Sequence, residues 1–122
     1  MLLVDTSIWS DHLRRGDAAL ARRLEAGEVL VHALVIGEIA CGAFPRRPEA
    51  LALLTQLPAA PVLGLAELLD FIDRQSLQGK GIGFVDVHLL AAARVSGAAL
   101  WTRDKRLAAA AAALGCLHTS AS

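Results

Sequence analysis

Aromatic side chains are scarce in this chain of 122 residues: two Trp, three Phe and no Tyr, 4% of the sequence. Hydrophobic residues still make up 55% of it, so the core must be aliphatic, and the composition reads as an Ala-rich helical or α/β protein. Stacking platforms for nucleobases are expected to be missing, because Trp9, Phe44, Phe71, Phe84 and Trp101 mostly lie in apolar strings. An excess of either charge is also absent. Lys plus Arg and Asp plus Glu each total 12, so no global positive field draws the chain onto a polyanion, and any such contact must be local. Cysteine is limited to Cys41 and Cys116, outside any C-x-x-C pattern. They are expected to be reduced, packed thiols in a cytoplasmic protein. No apolar run approaches the roughly 18 residues of a membrane span, and the first acid, Asp5, comes too early for a signal peptide, so no membrane partner is expected.

At this length a single domain, 1–122, is expected, burying about two-thirds of its unfolded surface without staples. Short apolar runs at 2–4, 28–32, 61–63 and 98–101, with a further one at 116–118, predict four to five strands. Helical spacing or capping signals predict helices at 8–13, 17–27, 33–41, 48–57, 65–77, 84–95 and 105–114. Strands alternating with helices imply a parallel sheet covered on both faces. In such sheets the functional crevice lies beyond the carboxyl ends of the strands.

Four carboxylates stand where a strand ends or an apolar helix begins: Asp5 in LLVDTS, Glu38 in ALVIGEIACG, Asp86 in GIGFVDVHLL and Asp104 in ALWTRDKRL. Acids in apolar surroundings are costly unless something compensates their charge. Glu38 and Asp86 have no Lys or Arg within four positions on either side. A shared divalent cation would compensate all four acids at once, and an oxygen-only ligand set suits Mg²⁺ or Mn²⁺ far better than Zn²⁺. Glu38 shares a helical face with Leu34, Val35 and Cys41, which predicts that this face points inward. Each acid also has a plainer reading: Glu38 as an acid snorkelling to solvent, Asp5 as a turn former, Asp86 and Asp104 as first-turn or capping residues. Arg103, Lys105 and Arg106 offer Asp104 ion-pair partners. Ser7 and Thr102 can position a phosphate or a metal-bound water, or cap helices; Thr6 supplies a capping hydroxyl.

The chemistry such acids support is phosphodiester hydrolysis, in which carboxylate-held cations lower the pKa of a water and neutralise the leaving oxygen. His12, His32, His88 and His118 show no zinc-binding spacing, no G-x-S-x-G elbow supports a serine nucleophile, and GKGIG is not a Walker loop. Basic residues that could hold RNA backbone phosphates are Arg14, Arg15, Arg46, Arg47, Lys80 and Arg103. Solvated helix faces are the commoner meaning of such residues.

The ordered set LLVDTSIW, V-x-GE, GIGFVDVHLLA and LWTRDKRL, spanning nearly the whole chain, resembles the PIN domain family and, within it, the VapC toxin ribonucleases. The resemblance implies a three-layer α/β/α fold and a Mg²⁺- or Mn²⁺-dependent endoribonuclease that cuts RNA with a metal-activated water. It also implies a homodimer, and a cognate antitoxin that inhibits by docking over the acidic cleft. Asp5, Glu38, Asp86 and Asp104 match the family's metal-binding acids, and Ser7 and Thr102 its supporting polar positions. The alternative is a catalytically inactive PIN-like scaffold that binds metal, RNA or a protein partner. A phosphotransfer domain of receiver or haloacid-dehalogenase type is disfavoured, since Asp5 has no partner acid at position 7.

Overall fold

The computed structural model describes residues 1–119, so the end of the expected domain, 120–122, lies outside the described residues. In chain order the elements are β1 (Leu2–Val4), α1 (Thr6–Arg15), α2 (Ala18–Glu25), β2 (Val29–Leu30), α3 (Ala33–Cys41), α4 (Arg47–Gln56), α5 (Leu65–Gln75), α6 (Phe84–Ser96), β3 (Ala99–Trp101) and α7 (Lys105–Ala113). The helices flank one parallel sheet of order β2-β1-β3, as expected for this α/β class. Leu2 and Leu3 face Val29 and Leu30 on one side. On the other, Leu2, Leu3 and Val4 face Ala99, Leu100 and Trp101. All three residues of β1 are buried, which suits a central strand covered on both faces.

The sheet has three strands among the described residues where the sequence predicts four to five. Segment 61–63 is not a strand. Pairing falls earlier, at a single Val31–Ala59 bridge closed by Val31 N–H to Pro58 O (2.9 Å) and Ala60 N–H to Val31 O (2.8 Å). Pro61 has no N–H to offer a ladder, so the pairing cannot run on through it. Segment 116–118 likewise makes one bridge, Leu100 to Leu117. Segment 28–32 is a strand only over Val29–Leu30, because His32 turns inward, fully buried, and its Nδ1 caps α3 by accepting from Leu34 N–H (3.0 Å).

The core is aliphatic except for the two Trp. Leu3, Val4, Ile8, Trp9, Leu89, Leu90 and Leu100 have no more than traces of exposed surface. α6 contributes the run Ala91–Ala93, whose small side chains let the helix lie close to the sheet. Each fully buried Leu stabilises the fold by about 2 kcal/mol before conformational entropy is charged against it. Among the described residues no helix is long and apolar enough to cross a membrane.

Candidate active site

The sheet brings two of the four acids together through backbone pairing. Asp5 directly follows β1, and its N–H donates to Trp101 O at 2.9 Å, so the ends of β1 and β3 lie side by side. Asp5 therefore stands next to Thr102, whose Oγ1 donates to Asp5 Oδ2 at 2.7 Å. Ser7 Oγ donates to the same oxygen at 2.8 Å. Asp104 caps α7, its Oδ1 accepting from the N–H groups of Arg106 (2.9 Å) and Leu107 (3.0 Å). Glu38 stands exposed on α3, where its Oε1 accepts from Thr6 Oγ1 at 2.6 Å. Asp86, in the first turn of α6, accepts through Oδ2 from Gly83 N–H at 3.2 Å.

One pattern runs through all four. Each carboxylate commits one oxygen to a local donor, and the other, Asp5 Oδ1, Glu38 Oε2, Asp86 Oδ1 and Asp104 Oδ2, has no hydrogen-bond partner among the described residues. No Lys or Arg forms an ion pair with any of the four among the described residues. Burial pushes the Asp86 carboxyl above the ordinary Asp range, and the negative charges of Asp5, Asp104 and Glu38 push it the same way, against the Gly83 hydrogen bond. The charges of the other three acids thus reach Asp86. The four are not drawn into a closed ligand set: among the described residues no three Asp, Glu, His or Cys side chains lie close enough to hold a metal. Carboxylates that each keep one oxygen free of hydrogen bonds among the described residues suit a hard divalent cation better than zinc.

The surroundings depart from expectation in several places. The face of α3 that packs inward is that of Val35 and Ile39. Glu38 and Cys41 are exposed, so the expected inward orientation of Glu38 and packing of the Cys41 thiol are corrected, while Cys116 is buried. Because α3 is nearly all apolar, sequence spacing could not distinguish its faces. Together with Ala33, Leu34, Gly37 and Val85, Glu38 and Cys41 line an open groove of about 560 Å³ beside the acids. Helix α1 is capped by Asp5, while the hydroxyls of Thr6 and Ser7 go to carboxylates. Phe84 is 47% exposed two residues before Asp86, so one aromatic face is open near the acids after all.

The basic candidates divide in two. Arg103 bonds to Asp11 and Asp17 instead of Asp104. Arg15 pairs with Asp11, Arg47 holds Ala40 O at the end of α3, and Arg14 lies 4.5 Å from the centre of the Phe44 ring. Arg46 and Lys80 are exposed and form no ion pair among the described residues. Two site neighbours escaped sequence reasoning. Thr6 looked like a cap, though a hydroxyl directly after a strand-end acid was a usable signal. Arg106 folds over Gly81, a residue at φ +76° where an added Cβ would come within 2.6 Å of Arg106 Nη1. No spacing rule links positions 81 and 106.

The family model of the PIN domain matches residues 2–113. The chain is 48% identical over 116 residues to the protein named Ribonuclease VapC32 in two strains of Mycobacterium tuberculosis, a match covering 94% of each chain. In fold it is similar to the crystal structure of PAE2754 from Pyrobaculum aerophilum, with a TM-score of 0.57 at 21% identity over 89% of this chain and 78% of that one. The chain belongs to the PIN domain family.

Proposed function

We propose that this protein is a Mg²⁺- or Mn²⁺-dependent endoribonuclease, a toxin held in check by a cognate antitoxin. The observation that carries this reading is the set of four carboxylates, each with one oxygen anchored and, among the described residues, one without a hydrogen-bond partner and no ion pair to a basic side chain. The likeness to Ribonuclease VapC32 over almost the whole length supports RNA as the substrate.

Asp5, Glu38, Asp86 and Asp104 would hold the cation. When bound, it supplies a Lewis acid that lowers the pKa of water and offsets the charge of a phosphodiester transition state. The chain's own residues set the geometry. Ser7 and Thr102 fix the rotamer of Asp5 through one oxygen and leave the other directed elsewhere. Thr6 does the same for Glu38. Asp86 holds a proton more readily than an ordinary Asp, so cation and proton compete there, and cation affinity rises with pH. Lys80 and Arg46, free of ion pairs among the described residues, and Arg106 over the loop before Asp86 supply local positive charge for backbone phosphates in a chain with none overall. The groove along α3 offers an apolar segment of an antitoxin a seat with Glu38 on its rim. A homodimer is part of the same proposal and rests on family resemblance alone.

The test is cleavage of single-stranded RNA by purified protein with Mg²⁺ or Mn²⁺. Cutting is expected, with loss in a chelator and a fall of about a thousandfold in Asp5→Asn. Equal cleavage by wild type and Asp5→Asn, or none by either, contradicts the reading. In the second case the chain is a PIN scaffold without turnover.

A further inference from the structure

The guanidinium of Arg103 bonds to two acids on different elements. Its Nη1 donates to Asp11 Oδ2 on α1 at 2.6 Å and its Nη2 to Asp17 Oδ2 at 2.5 Å. Asp17 is itself fixed: its Oδ1 caps α2 by accepting from Leu20 N–H (3.0 Å), and its own N–H donates to His12 Nδ1 (3.0 Å). The guanidinium therefore joins three elements, the β3–α7 turn, α1 and the start of α2. Both acids are pulled below the ordinary Asp range. For Asp17 the Arg103 hydrogen bond is the largest cause, whereas for Asp11 that of Arg15 comes first and Arg103 adds to it.

The backbone beside this guanidinium leads straight to the cleft. Arg103 N–H donates to Ser7 Oγ at 3.0 Å, and Ser7 Oγ donates to Asp5 Oδ2 at 2.8 Å. One residue on, Asp104 N–H donates to Thr102 Oγ1 at 3.0 Å, and Thr102 Oγ1 donates to the same Asp5 oxygen at 2.7 Å. Two parallel two-step paths thus connect the 102–104 backbone to Asp5. Each hydroxyl spends its only proton on the acid and accepts from the turn. A shift of the turn breaks both paths and moves Asp104 with it.

We propose that Arg103 is a positioning residue: by clamping the β3–α7 turn to Asp11 and Asp17 it fixes Thr102 and Asp104 relative to Asp5, and so sets the spacing of the cation-holding oxygens. This rests on the cation-binding reading of the cleft above, but not on RNA being the substrate. It also gives Arg103 a task other than holding phosphate, because both ends of its guanidinium are occupied. Outer contacts that orient ligating carboxylates are worth about 10–100-fold in metal affinity.

Mn²⁺ binding to the metal-free protein, measured by calorimetry, tests this independently of cleavage. Arg103→Ala is expected to weaken Mn²⁺ binding about 10–100-fold. Asp17→Asn, which keeps the α2 cap, should weaken it less, and the double variant should be no worse than Arg103→Ala alone. Arg103→Lys keeps the charge but not the fork, and recovers part of the loss. In cleavage assays kcat should fall, with KM for RNA and its salt dependence unchanged. Wild-type affinity in Arg103→Ala overturns the proposal, as does a wild type that binds no Mn²⁺. A raised KM with a salt slope reduced by about one, and unchanged Mn²⁺ affinity, makes Arg103 a phosphate contact instead. If Arg103→Ala does not fold, Asp17→Asn decides by the same readout. Weakened Mn²⁺ binding in a protein that cuts no RNA leaves this inference standing and defeats the ribonuclease reading.

Discussion

Asp17 and Asp86 are both partly buried aspartates at the start of a helix, and both accept a hydrogen bond from a nearby backbone N–H. Their carboxyls nevertheless shift in opposite directions. Asp17 shares a guanidinium with Asp11 and is pulled down; Asp86 is pushed up by burial first, and then by the negative charges of Asp5, Asp104 and Glu38. The clamp and the cleft are joined through Ser7 and the 102–104 turn. In the clamp both acids are bonded to an arginine. Among the described residues none of the four cleft acids has one, and at Asp86 burial and neighbouring negative charge disfavour the charged form, a cost of the kind that marks a functional site.

Neutralising one acid in each place should therefore have opposite effects on stability, and this is the sharpest way to break the comparison. The larger effect is expected in the clamp. Asp17→Asn should lower the melting temperature by about 4 °C at neutral pH. Because the native carboxyl lies below its unfolded value of 3.8, the stability it contributes is present above that value and lost as pH falls through the lowered native pKa. The gap between Asp17→Asn and wild type should close correspondingly in acid. A gap that persists unchanged into acid would show that the loss comes from packing and not from the ion pair.

The smaller effect is expected in the cleft and has the other sign. Asp86→Asn in metal-free buffer should raise the melting temperature by about 2 °C at neutral pH. Here the native carboxyl lies above 3.8, so wild type is favoured below that value and loses that advantage as pH rises through the raised native pKa. The gain of Asp86→Asn should therefore appear on raising the pH and be absent in acid. A fall in melting temperature at neutral pH would mean that the Gly83 cap and the helix dipole outweigh repulsion among the four acids.

Helices were legible where apolar spacing is bounded by a cap or a stop: α2 between Asp17 and Gly27, α3 closed by Gly42 and Pro45, α4 with Pro48 in its first turn and Pro58 beyond its end. Strands are defined by their partners, and so 61–63 looked as good as 2–4 although only the latter pairs on both sides. Asp5, Asp86 and Asp104 stand out because strand ends and helix starts are local features, and Glu38 because it interrupts an apolar run; the parallel sheet then brings the segments of Asp5 and Asp104 side by side. Side-chain traffic was less legible. Arg103 has an acid adjacent in sequence, Asp104, yet bonds to Asp11 and Asp17, which are near only once β1 and β3 have paired. The sequence predicts an inward-facing Glu38 because nothing in ALVIGEIACG separates the core face of α3 from its exposed one.

Diffraction from a crystal soaked in Mn²⁺, recorded at the manganese absorption edge, addresses the shared cation most directly. An anomalous peak is expected with oxygens of Asp5 and Asp86 at about 2.0–2.2 Å and Glu38 or Asp104 in the same coordination sphere, directly or through a water. A peak elsewhere, or none at saturating Mn²⁺ with the four carboxylates placed as they are here, would contradict the account.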